Sequence, residues 1–127
     1  MRMWGAAPRR MCDKHILGEH LEMHMFHTAL SRKQTVTGYI TKNLLAPSEV
    51  KERHDMLAAE MLRRNMNHKS PMDTQPDISY LPYHLRVAEL YEHVSEEELY
   101  TRCEKCAEIN DQYIRHHERA GRLENLI

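Results

Sequence analysis

The 127-residue chain contains no apolar run near the roughly 18 residues that a membrane-spanning helix requires. It also lacks a charged-then-hydrophobic opening, which excludes the usual secretory signal and points to a cytoplasmic protein. Its cysteines, Cys12, Cys103 and Cys106, are an odd set and too few for a secreted disulfide framework, so a reducing compartment fits best. No internal repeat, low-complexity tract or convincing strand pair stands out. Net charge is only −1, which argues neither for nor against nucleic acid. The distribution is less even. Up to Ser70, twelve Lys and Arg outnumber seven acids, whereas after it six face twelve. The basic side therefore belongs to the first half, where phosphate would be held.

What is present reads as helix. The pattern predicts a compact all-α single domain over residues 1–127 with three main helices, large enough for a core without staples. Residues 1–8 form a short lead with Trp4 as its anchor, and the first helix covers residues 10–31. Residues 32–47 read as a loop, partly extended at 35–40. Ser48 suits the N-cap of a second helix ending near residue 65, with Val50, His54, Leu57 and Met61 as its core stripe. Residues 67–77, with Pro71 and Pro76, are irregular, and a short helical piece covers residues 83–93. Ser95 and Glu98 read as a capping box opening the last helix, which Gly121 closes.

The first helix carries the most information. Centred on Glu22, its wheel groups His15, Gly18, Glu19, Met25, Phe26 and Ala29 on one face. His20, His24 and His27 point the opposite way. A glutamate inside an apolar arc is desolvated, which raises its pKa and prepares it for proton traffic. The bland alternative is that Glu19 or Glu22 pairs with His15 or an arginine as structural glue. Two other constellations are weaker. Cys103-Glu-Lys-Cys106 has zinc spacing but no second ligand pair nearby, so the sulfurs read as buried free thiols. His20 and His24 could chelate a metal, but the pattern is not that of a zincin and a solvated histidine face is the simpler reading.

Arg2 behind the initiator, then Asp13-Lys14-His15-Ile16-Leu17-Gly18-Glu19-His20 running to Glu22, resembles the pyrimidine-dimer DNA glycosylases of the phage endonuclease V type. A second stretch carries the same resemblance in register: Arg53-His54 through Glu60-Met61-Leu62-Arg63-Arg64, then Asn67-His68-Lys69-Ser70-Pro71. The likeness covers most of residues 1–72 and thins beyond residue 77. It implies an all-α fold with the N-terminal segment packed between helices and the terminal amine beside Glu22, and no metal or organic cofactor. It further implies Met1 and Glu22 as catalytic residues, with Arg2, Lys14, His15, Glu19, Arg63, Arg64 and Lys69 binding substrate. The substrate would be damaged double-stranded DNA, met by a monomer. An α-amine has a pKa of about 7.7–8.0, so a neutral fraction exists at pH 7 without heavy burial.

The chain also departs from that pattern. The position before the glutamate, an arginine in the family, is Leu21, and the next basic position falls on Met25. Losing two cations weakens duplex binding and its salt sensitivity. The type enzymes expose a small first residue such as threonine where this chain has Met1. No aromatic follows Tyr113 in the basic stretch from Arg115 to Arg122. The rival reading is a non-catalytic binder on the same fold, taking a nucleotide-type ligand or a protein partner. A third is a metal-dependent enzyme using His20, His24 and a carboxylate.

Overall fold

The computed structural model describes the backbone of residues 1–125 and the surroundings of residues 1–121. Six α-helices and no strand occur among the described residues: α1 (Asp13–Ser31), α2 (Thr37–Thr41), α3 (Val50–Arg63), α4 (Tyr83–Arg86), α5 (Glu92–Arg102) and α6 (Glu104–Asn125). Single 3-10 turns, Pro8–Arg10 and Pro47–Glu49, lead into α1 and α3. No helix is long and apolar enough to cross a membrane among the described residues.

Local chemistry explains where the helices stop. Lys33, Asn43 and Asn65 take left-handed backbone angles, φ 55°, 62° and 61°, just past α1, α2 and α3. At each, the amide of the following residue reaches back to a carbonyl of the last turn: Gln34 to Ala29, Leu44 to Tyr39 and Met66 to Met61. These paired bonds satisfy carbonyls that the helix end would otherwise leave open. The same device makes a helix of Thr37–Thr41, where the sequence suggested extended chain. Val36 and Ile40, both buried, hold it against the core.

The core sits between α1 and α3, and the N-terminal segment threads through it. Phe26, Met23, Ile16 and Leu30 of α1 meet Val50, Leu57 and Met61 of α3, with Met3 and Ala6 fully buried among them. The Met3 amide donates to the Leu44 carbonyl at 2.7 Å, and the Arg53 guanidinium to that of Ala6 at 2.8 Å. Gly5, at φ 70°, provides the bend between them, a conformation that a side chain would strain. Each fully buried side chain such as Met3 contributes about 1.5–3 kcal/mol, so the segment is held firmly.

Four further expectations from sequence need correction. The buried face of α1 is centred on Met23, about 100° or one residue step from Glu22. Leu17, Leu21 and Met25 therefore face outward and His20 is buried. With apolar residues on nearly every side, this helix offers little contrast from which to read its inward face. The core stripe predicted for α3, by contrast, is buried as expected. The last long helix is two: it breaks at Cys103, whose extended angles (φ −118°, ψ 108°) separate α5 from α6. Ser95 does not cap it, because α5 starts at Glu92 and the Ser95 hydroxyl accepts a 2.9 Å bond from Arg2. Gly121 does not close α6, which runs on to Asn125.

Candidate active site

Threading the N-terminus through the core brings the Met1 amine to 3.6 Å from the Glu22 carboxylate. Both are partly open, at 19% and 28% side-chain exposure, so the pair lies at the surface rather than in sealed core. α1 positions Glu22 at the edge of its buried face, and the Met1 side chain packs against the core cluster, which orients the amine outward. His15 lies two turns earlier on α1 with its ring edge-on to Trp4, centroids 5.6 Å apart. Burial, and the charge of Lys14, lower the His15 pKa, with Glu19 and Glu22 opposing.

Other expected site residues are held by the protein itself. Arg2 is buried, bonds Ser95 and Glu98, and stacks over the Trp4 ring at 3.9 Å. That contact holds the Glu98 carboxyl below the usual range. Glu19 has no surface that a substrate could touch: it is fully buried, with both oxygens on the Arg53 fork, Nη2 at 2.8 Å. Arg64 is also engaged, bonding Glu60, Asp13 and the carbonyls of Pro8 and Met11. Arg63 pairs with Glu60 while remaining half exposed. Lys14 and Lys69 are exposed. No contact joins Arg63 or Lys69 to the Met1–Glu22 pair among the described residues.

Arg53, part of the second matching stretch but with no role assigned from sequence, is the buried electrostatic partner of Glu19. Breaking a buried pair from one side leaves an uncompensated charge, costing about 3–5 kcal/mol. Glu19→Ala should lower unfolding stability by that amount in urea titration. A double change of Glu19→Leu with Arg53→Met should recover most of it. A single-variant loss below about 1 kcal/mol would rule out this role.

The histidines of α1 do not form a solvated face. His20 is buried, and its Nε2 lies 3.1 Å from that of His54 and 2.9 Å from that of His68. His24 and His27 meet the carbonyls of Ser70 and Thr74 at 3.0 and 3.2 Å, and the irregular segment through Pro71 covers them. His54 Nδ1 is 2.9 Å from Asp55. Sequence could not show this, because three of the partners come from the loop after α3. Burial, with the nearby His54, His24 and His68, lowers the His20 pKa to about 4. The folded protein therefore resists a proton that the unfolded chain accepts near pH 6.5. Stability from this group is complete above pH 6.5 and lost as pH falls from there towards 4. The Tm should drop over that window, and less so in a His20→Gln variant. Equal acid sensitivity in the two proteins would remove His20 as the cause.

Among the described residues, two groups of side chains could hold a metal. The Nε2 atoms of His20, His54 and His68 converge within 4.8 Å, as do donor atoms of Cys12, His15, Cys103 and Cys106. The second ligand pair that seemed absent beside Cys103 and Cys106 is thus Cys12 with His15, distant in sequence and adjacent in space. Burial pushes the Cys106 thiol up to about 12. Burial also acts upward on Cys103, but hydrogen bonds from the Cys106 and Lys105 amides and from the thiols of Cys106 and Cys12 bring it below its usual value.

Comparison with curated proteins and with solved structures finds no match. The profile of the family described as pyrimidine dimer DNA glycosylase matches residues 1–74, the segment that contains the threaded N-terminus, all of α1 and all of α3. That is more than half of the chain, and it covers the elements that place Met1 against Glu22; the chain belongs to the pyrimidine dimer DNA glycosylase family.

Proposed function

We propose that this protein is a DNA repair glycosylase with associated abasic-site lyase activity on pyrimidine dimers, acting through the Met1 amine. The 3.6 Å separation of that amine from Glu22 carries the reading. In its neutral form the amine attacks C1′ of the damaged nucleotide. The glycosidic bond breaks, and the base leaves with the bonding electrons and takes up a proton. The amine then loses a proton, and the sugar ring opens to give a Schiff base at C1′. Its iminium acidifies the C2′ proton, and loss of that proton expels the 3′ phosphate by β-elimination. Glu22 stabilises the cationic sugar and moves these protons.

The duplex must be kinked and a base extruded, a cost that a lesion lowers. Of the expected substrate-binding residues, Lys14, Arg63 and Lys69 are exposed and can meet phosphate. Arg2, Glu19 and Arg64 bond within the protein and hold the N-terminal segment and α1 in place. Borohydride reduction on dimer-containing and abasic duplexes tests the reading: it should freeze the Schiff base as a covalent adduct. A folded protein that gives no adduct on either DNA is not this enzyme.

One observation favours the rival, a non-catalytic binder on the same fold. Arg2 is committed to Glu98 and Ser95, and Leu21 and Met25 are exposed, at 61% and 48%, where family members carry cations. A site with fewer free cations suits a nucleotide-type ligand or a protein partner better than a long duplex.

A further inference from the structure

We propose that Cys12, His15, Cys103 and Cys106 form a structural zinc site that clips the start of α1 to the α5–α6 corner. The sequence carries the ligands as two short pairs, Cys-x-x-His at residues 12–15 and Cys-x-x-Cys at residues 103–106, a spacing that suits tetrahedral zinc. Zinc–sulfur bonds of about 2.3 Å and zinc–nitrogen bonds of about 2.0–2.1 Å set the edges of such a tetrahedron. They place two sulfurs about 3.8 Å apart and a sulfur about 3.6 Å from a nitrogen. Cys12 Sγ lies 3.9 Å from Cys103 Sγ and 3.3 Å from His15 Nδ1, and Cys106 Sγ lies 3.7 Å from the same nitrogen. Two sulfurs 3.9 Å apart are not a disulfide.

The backbone is arranged for thiolates as well. Cys12 and Cys103 are the residues immediately before α1 and α6, so each pair occupies the cap and third position of a helix. Two helix N-termini thus converge on the cluster, and their partial positive charge favours bound thiolate. The Cys12 amide donates to Cys106 Sγ at 3.2 Å and the Cys106 amide to Cys103 Sγ at 3.4 Å, the kind of outer hydrogen bond that orients metal ligands. Zinc with three thiolates and one imidazole carries a net charge of −1, and in the adjoining pocket Lys14, Arg102 and Lys105 outnumber Asp13 and Glu104. The same arrangement accounts for the break between α5 and α6. An unbroken helix would carry Cys103 inside a turn, whereas its extended angles aim the sulfur at Cys12. Buried free thiols would require none of this.

The inference is independent of catalysis, and its test reads the metal directly. Untagged full-length protein, expressed with zinc and dialysed, should retain about one equivalent bound through sulfur. Replacing it with Co(II) should give thiolate-to-cobalt charge transfer together with the d–d bands of tetrahedral coordination. Chelation should lower Tm by on the order of 10 °C. Cys103→Ser should lower metal affinity by more than about tenfold, while His15→Cys, which supplies a fourth thiolate, should retain the metal and strengthen the charge-transfer band. If the serine variant does not fold, the cobalt spectrum of the unaltered protein decides. Cobalt bound with no thiolate band at any ratio places the metal elsewhere, on the His20 cluster, and overturns the proposal. So does undiminished metal in a folded Cys103→Ser, Cys106→Ser double variant.

Discussion

Extending the chain ahead of Met1 with a cleavable tag should abolish borohydride trapping on an abasic duplex, and cutting the tag back to Met1 should restore it. The expectation follows from the kind of amine that faces Glu22. A tag turns the Met1 nitrogen into an amide, whose lone pair is delocalised into the carbonyl and cannot attack C1′. No internal amine occupies the same place. Lys14 is exposed and precedes His15 at the start of α1, and no contact joins it to Glu22. Met3 and Ala6 are buried deeper than Met1, so the threaded segment retains its anchors and helical circular dichroism should not change. The reversal on cleavage separates loss of the amine from damage to packing. Trapping that survives the tag and disappears in Lys14→Ala would move the nucleophile to the lysine.

The residues that carried this expectation were legible because they are local. Spacing along α1 and α3 is a property of consecutive residues, and so is the core stripe from Val50 to Met61. What remained hidden depends on distant chain. The inward face of α1 is decided by what packs on it: the loop after α3 supplies His68, which meets His20, and the Ser70 carbonyl, which meets His24. The cysteine pair near the C-terminus looked incomplete because its complement lies 91 residues earlier, and no periodicity links the two. The break at Cys103 escaped for the same reason, since residues 95–121 have adequate helix-forming sequence throughout and only the tertiary partner interrupts them. Arg53 was quoted within the motif, yet its role is apparent only once Glu19 is seen with no route to solvent.

Glu22→Gln should cut base release by about 10²-fold or more while leaving lesion-DNA binding intact or tighter. Glutamine preserves the shape and most hydrogen bonds of the side chain but can neither take up nor release a proton. It also loses the charge that would steady a cationic sugar beside the Met1 amine. Binding should not suffer, because in the glycosylase reading removing an anion from beside the DNA phosphates relieves repulsion. Glu22 is partly exposed, so the substitution strands no buried charge of the kind that makes Glu19 structural. The unfolding midpoint should therefore move little, and lost turnover can be read as lost chemistry. The binder reading expects the opposite division. There the carboxylate accepts hydrogen bonds from a base or ribose, and the same change weakens affinity by about 1.5–3 kcal/mol, the range for a charged hydrogen bond. Turnover and affinity measured on this one variant separate the two. A parent protein without turnover, whose ligand is lost on Glu22→Gln, is a binder that has kept the glycosylase frame.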